Sequence, residues 1–387
     1  MGYEILIRKM QQMCQVLNLI YQEHVKDGRG IAECTMASFD GKENPFSHYY
    51  AQLLHQGNML ADHVRTGTYQ QACLDNAPDF EGKVVLDVGT GTGILAFFAC
   101  QAGAKKVYAV DASDSAEVAR TISEANGYAD RVEVIKGKIE EIELPEKVDI
   151  IISEPIGFLL VHERMLESYA EARRRFLKPG GIMFPTTGSI FLAPITDAAL
   201  YKEQEDKIVF WNQTDFYGID MTCVLPVANK EYFTQPVVGY FDPSTIISGS
   251  RTKHTVDFQK VQPQELHKFT INFAYKIDKT AIMHGLGGWF EIDFLGSDED
   301  KRVVLSTAPD KPGTHWYQCR LLFNDPLAVN RGQSVRGKLD FEVNDKYSYC
   351  IKMSASLDGT DISTSNVINL HDQIYHYLYS GVAAEAA

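Results

Sequence analysis

Two glutamates nine residues apart carry the most specific chemistry in this chain. In the segment SEPIGFLLVHERMLESY, Glu154 follows the apolar run VDIII and Glu163 opens the helical pattern that comes next. Ligands bind at the carboxyl ends of strands in a parallel sheet, so both carboxylates can face one pocket. A guanidinium is planar, carries five N–H donors and does not lose its proton, so two carboxylates can hold it by paired bonds from two sides. Such a pair is shaped to receive arginine. Drawing the positive charge toward the carboxylates also leaves the remaining terminal nitrogen more nucleophilic. The alternative is that Glu163 complements a helix N-terminus and Glu154 merely begins an exposed turn. Either residue alone favours that reading; both in one strand, loop and helix favour a site.

The second motif is VLDVGTGTGIL, which places Gly89, Gly91 and Gly93 after a strand and before a helix. Absent β-carbons there let a ligand approach the backbone. The spacing is GxGxG, with Ile94 where a dinucleotide fingerprint requires its last glycine. Asp111 ends the next strand, placed to accept hydrogen bonds from both ribose hydroxyls of an adenosine. Glu140, in KGKIEEIELPEK, can reach the adenine amino group. S-adenosylmethionine fits better than NAD because it has no pyrophosphate to seat on the helix dipole. Its carboxylate calls for a cation, and Arg65 is the candidate. A tight turn with no ligand is the alternative, and strand, spacing, helix and downstream acid together speak against it.

These residues need a frame of alternating strands and helices. Strands are predicted at VVLDV (84–88), VYAVD (107–111), VEVI (132–135) and VDIII (148–152). Helices are predicted at ILAFFACQA, from about Ser115, and near 163–177, the last stopped by Lys178-Pro179-Gly180-Gly181. Short apolar strands separated by helices imply a parallel sheet covered on both faces. Upstream, a helical pattern over 46–75 precedes the first strand. A stripe of Tyr3, Leu6, Met10, Met13, Leu17 and Ile20 reads as a packing helix, followed by a polar connector from Gly28 to Pro45.

After about Pro185 the pattern alternates at the strand period: FTINFAYKI (269–277), WFEIDFLG (289–296), RVVLST (302–307), HWYQCRLLF (315–323), VRGKLDFEV (335–343) and YSYCIKMSA (347–355). That is an antiparallel sandwich or barrel. Between the two patterns, residues 200–235 hold Phe210, Trp211, Phe216 and Tyr217 in a poorly periodic stretch.

The 387 residues are 45% apolar, enough for a sizeable core in two folding units. Lys and Arg number 37 against 51 Asp and Glu, a net charge of −14. Such a surface repels phosphate backbones and attracts basic proteins, so no direct nucleic-acid partner is expected. The seven cysteines form no Cys-x-x-Cys pair, the closest being Cys14 and Cys34, so neither a zinc knuckle nor a redox pair is expected. They read as reduced thiols of an intracellular protein. No apolar run approaches the roughly 20 residues that span a bilayer, and charges interrupt the start, so neither a membrane partner nor a signal peptide is expected.

On these motifs, together with VRTGTY and Thr314-His315-Trp316, the chain resembles the type I protein arginine N-methyltransferases, and most closely the coactivator-associated subfamily, over about residues 46–370. The resemblance implies a Rossmann-like S-adenosylmethionine-binding domain with N-terminal helices, then an antiparallel β-barrel with an inserted dimerisation arm. In residue terms it implies an N-terminal helix and connector (1–45), a cofactor domain (46–185) and a barrel (186–387), with the arm at about 200–235. Gln56, Arg65, Gly89, Gly91, Gly93, Asp111, Glu140 and Ser168 match cofactor positions, and Phe46 can cover the cofactor. Glu154 and Glu163 match the pair that clamps arginine. His315 and Asp62 match a pair proposed to relay the released proton, Trp316 the lining of the arginine channel, and Tyr50 an active-site contact. Met59 stands where enzymes making asymmetric dimethylarginine carry methionine.

There are departures. The family's Tyr-Phe-x-x-x-Tyr reads Phe46-Ser47-His48-Tyr49-Tyr50 here, keeping only the final tyrosine. Thr90 replaces a common cysteine, and Asp111 a more usual glutamate. Upstream of 46, where the subfamily carries a separate folded module, about 45 residues stand. The resemblance implies arginine-containing substrates such as histone tails and RNA-binding proteins, S-adenosyl-L-homocysteine as product, no metal, a homodimer, and residence in nucleus and cytoplasm. Two other readings compete: a methyltransferase for small molecules or nucleic acid, disfavoured because nucleobase enzymes carry Asn/Asp-Pro-Pro-aromatic where this chain has Ser153-Glu154-Pro155-Ile156; and a catalytically weak scaffold retaining the fold.

Overall fold

The computed structural model describes residues 45–376. The predicted stripe of residues 3–25 and the connector up to Pro45 fall almost wholly outside that range. The described chain opens with short helices, α1 (Pro45–Tyr50), α2 (Leu53–Ala61), α3 (His63–Asp75) and α4 (Ala77–Phe80). The predicted helical pattern is therefore broken. The breaks fall at Ala51–Gln52 and at Asp62, whose side chain caps α3 by accepting from the Arg65 amide at 2.9 Å.

The α/β alternation follows as β1 (Val84–Val88), α5 (Ile94–Gln101), β2 (Lys106–Asp111), α6 (Ser115–Ala125), β3 (Val132–Lys136), β4 (Val148–Ser153), α7 (Met165–Phe176) and β5 (Leu177–Phe184). All five strands are parallel, in the order β3-β2-β1-β4-β5. Every residue of β1 is buried, as expected for a central strand with helices on both faces. The order reverses beside β1, so the ends of β1 and β4 flank the crevice where such sheets bind ligands. One expectation is corrected. Lys178-Pro179-Gly180-Gly181 does not simply stop a helix; it lies within β5, where the register against β4 shifts from Val148–Leu177 to Ile150–Ile182. Proline is tolerated there because β5 is the sheet edge.

The remainder is antiparallel in all but one pairing. It comprises β6 (Thr187–Ile195), α8 (Ala198–Val209), α9 (Leu225–Thr234), β7 (Val237–Gly239), β8 (Thr252–Asp257), α10 (Pro263–His267), β9 (Lys268–Lys276), β10 (Ala281–Phe294), β11 (Val303–Ser306), β12 (Gln318–Val329), β13 (Ser334–Val343), β14 (Tyr349–Leu357), β15 (Ser363–Asn369) and β16 (Ile374–Tyr375). One sheet runs β16-β7-β12-β10-β6-β8, with β11 on β10; the other runs β15-β14-β13-β9. Asn366 Nδ2 donates to Leu322 O at 2.8 Å and Tyr275 Oη to Leu192 O at 3.0 Å, so the two sheets meet at both sides of a shared core. The result is barrel-like. Burial alternates along β9, β14 and β15, whereas β10, central in its sheet, is buried on both faces.

Two further expectations change. His315 and Trp316 lie in the turn before β12, not in a strand. The aromatic stretch 200–235 is mostly two helices, α8 and α9, joined by a tip that leaves Phe210, Ile219 and Tyr217 exposed, the last at 93%.

Candidate active site at the carboxyl ends of β1, β2 and β4

The glycine loop leaves β1 with Gly89, Gly91 and Gly93 at φ +71°, +56° and +88°, a region that disfavours side chains. A Cβ on Gly91 would lie 2.6 Å from Gln56 Oε1, so at that position the bare backbone packs against the Gln56 side chain. Asp87, fully buried in β1, accepts from the Thr90 hydroxyl at 2.6 Å and the Ala96 amide at 3.1 Å, tying the loop to its strand and to α5. Burial pushes its carboxyl up to about 7. Sequence reasoning passed over Asp87, although its spacing of three from Thr90 was a readable signal.

Asp111 stands at the end of β2, as expected. Its Oδ2 accepts from the Gly91 amide at 2.8 Å, and its Oδ1 from the Ser113 amide and hydroxyl at 2.8 and 2.6 Å. Ser168 donates to Glu140 at 2.6 Å, so the structure brings these two predicted residues together. Gln56 is buried and donates to Tyr50 O at 2.8 Å, a carbonyl that also accepts from Ser115 at 2.7 Å. These contacts fix the turn after α1.

The loop after β4 holds both glutamates. Glu154 Oε2 accepts from Arg65 Nε and Nη2 at 3.1 and 3.0 Å, with side chains 8% and 7% exposed. Arg65, predicted to hold the cofactor carboxylate, thus grips the first clamp residue and lies over the Tyr69 ring. Glu154 Oε1 accepts from the Ile156 amide at 3.0 Å. Glu163 lies two residues before α7 rather than in its first turn, in the left-handed region at φ +73°. Both its oxygens accept from Tyr50 Oη, at 2.9 and 3.0 Å. Burial pushes the Glu163 carboxyl up to about 8; the tyrosine bond opposes this and the nearby Glu154 charge adds to it. Burial and the two glutamates raise the Tyr50 hydroxyl far above its ordinary value.

Asp62 links the helices to the antiparallel part. Its Oδ2 accepts from the His315 amide at 2.8 Å and pairs with His315 Nδ1 at 2.7 Å. Despite the opposing effect of burial, these bonds and that from Arg65 N hold its carboxyl below the ordinary value. Trp316 is 4% exposed, packs against Phe290, and donates from Nε1 to Ile156 O at 3.0 Å, which ties it to the clamp loop. Met59 is half-buried near the end of α2. Phe46 packs edge-on to His162 at 5.7 Å between ring centroids and lies 6.4 Å from Tyr50. Sequence reasoning also missed Tyr69, whose hydroxyl donates to Ser153 O at 3.0 Å beneath Glu154, and His162 itself.

A glycine loop after the first strand of a reversed parallel sheet, an acid ending the second and carboxylates after the fourth define a Rossmann-like methyltransferase. Residues 85–181 match a methyltransferase domain family, and residues 186–358 the arginine methyltransferase oligomerization subdomain. The chain is 44% identical to the histone-arginine methyltransferase CARMER of Drosophila willistoni, over 94% of this chain and 67% of that protein. It is 43% identical to the CARMER of Anopheles gambiae, over 93% of this chain and 57% of that one. Among solved structures it resembles protein arginine methyltransferase 10 of Arabidopsis thaliana, seen in a uniquely open conformation, with a TM-score of 0.76 and 33% identity over 83% of this chain and 99% of that one. The PRMT1 enzyme-prozyme heterotetrameric complex with AdoHcy of Trypanosoma brucei gives a TM-score of 0.73 at the same identity and coverage. The chain belongs to the protein arginine methyltransferase family.

Proposed function

We propose that this protein is a type I enzyme, transferring methyl groups from S-adenosylmethionine to arginine side chains of proteins and giving monomethyl and asymmetric dimethylarginine. The observation that carries the reading is the pair of enclosed carboxylates, Glu154 and Glu163, set after one strand and beside the glycine loop. The residues around that loop fit the cofactor: a cradle without side chains at Gly89, Gly91 and Gly93, acids at Asp111 and Glu140, Ser168 and Gln56 alongside, and the Arg65 cation for a carboxylate. When bound, S-adenosylmethionine supplies an electrophilic methyl group.

Glu154 and Glu163 hold and orient the guanidinium, with Tyr50 fixing the direction of Glu163. Ionised Asp62 accepts from His315 Nδ1–H, which leaves Nε2 able to take up the proton that the substrate nitrogen sheds. Met59 supports asymmetric rather than symmetric product. The change of sheet after Phe184 supports a division into a cofactor part (46–185) and a barrel that begins at 186. The acidic balance of the chain suits basic substrates such as histone tails and RNA-binding proteins, met in nucleus and cytoplasm. The CARMER relatives, histone-arginine methyltransferases by name, support the same choice.

Exposed Phe210, Tyr217 and Ile219 at the tip of the α8–α9 arm support a homodimer formed through residues 200–235. Sedimentation of a Tyr217→Ser, Ile219→Ser double variant should then show monomer where the wild type shows dimer. Mass spectrometry of a histone H3 tail and a glycine-arginine-rich peptide, incubated with labelled cofactor, tests the activity. Asymmetric dimethylarginine that disappears with Glu154→Gln is expected; symmetric product would overturn type I, and cofactor binding without transfer would favour the scaffold reading.

A further inference from the structure

Glu163 is flanked by two residues that are gripped from the antiparallel part of the molecule. His162 Nδ1 lies 2.8 Å from Ser348 Oγ, and Arg164 Nη1 donates to Asn344 O at 3.4 Å. Both partners belong to the turn between β13 and β14, which Asn344 Oδ1 shapes by accepting from the amides of Lys346 and Ser348 at 3.0 and 3.1 Å. The segment after β15 completes the bracket. Gln373 Nε2 lies 3.2 Å from His162 Nε2 and also donates to Leu370 O, while Asn344 Nδ2 lies 3.0 Å from His371 Nδ1.

A glutamine amide nitrogen can only donate, so His162 Nε2 accepts and Nδ1 carries the proton toward Ser348. The ring is therefore a neutral imidazole in one tautomer. It is buried, stacked on Phe158 with centroids 5.7 Å apart and met edge-on by Phe46. Gly157 makes its place possible, because a Cβ there would lie 2.2 Å from the His162 carbonyl oxygen. Glu163 and Arg164 both hold left-handed backbone with no glycine among residues 162–164, so neighbours rather than local preference keep that shape.

We propose that His162, held by Ser348 and Gln373, is a positioning residue that sets the orientation of Glu163, so that the segment 370–373 and the β13–β14 turn govern the arginine clamp. The proposal rests on the methyltransferase reading above. It implies that turnover of arginine depends on a contact far along the chain from either glutamate, while the cofactor loop, whose hydrogen bonds go to Asp87, Val110 and Asp111, does not.

Steady-state kinetics on an arginine peptide, with cofactor binding by calorimetry, tests this in the full chain. Gln373→Leu should lower kcat about 10- to 100-fold, the scale of a small misplacement of a reacting group, with cofactor affinity unchanged. Ser348→Ala should lower kcat less, and Ser348→Thr, which keeps the hydroxyl, should restore it. Gln373→Glu gives a readout that mere packing would not move. Its carboxylate favours a second proton on His162, and this change of charge on the residue next to Glu163 should displace the acid limb of the kcat/KM profile from its wild-type position. The other groups facing this pair, His371 beside His162 and Tyr50 and Glu154 beside Glu163, are the same in all variants. Wild-type kcat and pH profile in both Gln373 variants would overturn the proposal, as would equal loss of cofactor affinity and turnover. Failure of the wild type to methylate any arginine would instead sink the functional reading.

Discussion

Two loops at the ends of neighbouring strands adopt left-handed backbone, and they do so by different means. After β1 the conformation falls on Gly89, Gly91 and Gly93, which adopt it freely. After β4 it falls on Leu159, Leu160, Glu163 and Arg164, at φ +49°, +73°, +73° and +59°. At about 1–2 kcal/mol per side-chain-bearing residue, the second loop holds on the order of 4–8 kcal/mol of unfavourable backbone. That is comparable to the whole stability of a typical domain, so the loop must be held by its surroundings. Leu159 and Leu160 are buried, Trp316 holds Ile156 O, and Ser348, Asn344 and Gln373 hold the residues flanking Glu163. The cofactor loop is thus encoded where it stands, whereas the clamp is completed by the antiparallel part. Binding and chemistry should therefore separate under mutation.

The largest effect expected is on the clamp. Glu154→Gln and Glu163→Gln should each reduce methyl transfer by at least about 10³-fold, since each removes a charge aimed at the reacting group, while for Glu163→Gln, which leaves the Arg65–Glu154 pair intact, calorimetry shows cofactor affinity within about twofold of wild type. Equal loss of both would erase the division of labour. The converse is Gly91→Ala, where a methyl group meets Gln56 and φ is +56°. Cofactor affinity should fall by about tenfold or more, with kcat at saturating cofactor much less affected, as expected where backbone rather than charge is disturbed.

The pH dependence sharpens the same contrast. Glu163 must be ionised to hold a guanidinium, and in the free enzyme its carboxyl sits at about 8. The kcat/KM for peptide should accordingly rise with pH and level off above that value, with no matching limb in cofactor affinity. The same group works against the fold as pH rises. The native state keeps a proton that the unfolded chain releases near its ordinary 4.5, so stability falls between there and about 8, and Glu163→Gln should flatten that fall in thermal scans.

What the sequence showed follows the same line. The glycine loop, Asp111 and the strands β1 to β4 were legible because each is a local pattern: apolar runs, turn glycines, an acid at a fixed distance. The pairing of His315 with Asp62 came through resemblance, since nothing local links residues so far apart. β5 was hidden because Pro179, Gly180 and Gly181 read as a stop, and β6 because TGSIFLAPI carries a glycine and a proline. β15 was hidden by its polar alternation, STSNVIN, in which Thr364 and Asn366 take buried positions. His162, Ser348 and Gln373 were out of reach because their meaning lies wholly in tertiary contact.

A moderate effect is expected from Trp316→Phe, which keeps the ring packing but leaves Ile156 O without its donor. The cost should be about 1–3 kcal/mol, the penalty for a buried polar group left unpaired, read by denaturant unfolding together with a fall in kcat.

The smallest effect compares the loops directly. In Gly89→Ala the new Cβ would meet only Met165, at an ordinary 3.4 Å, so the loss should be the backbone term alone, about 1–2 kcal/mol. In Arg164→Gly the same term is relieved, while the paired bonds to Glu167 at 2.7 and 2.9 Å and the bond to Asn344 O are lost. Glycine adds about 0.5–1 kcal/mol of unfolded-state entropy, so the changes should nearly cancel, leaving unfolding within about 1 kcal/mol of wild type. If Arg164→Gly proved as destabilising as Gly89→Ala, the backbone at 164 would not be under strain, and the contrast between a freely left-handed loop and a held one would fail at that residue.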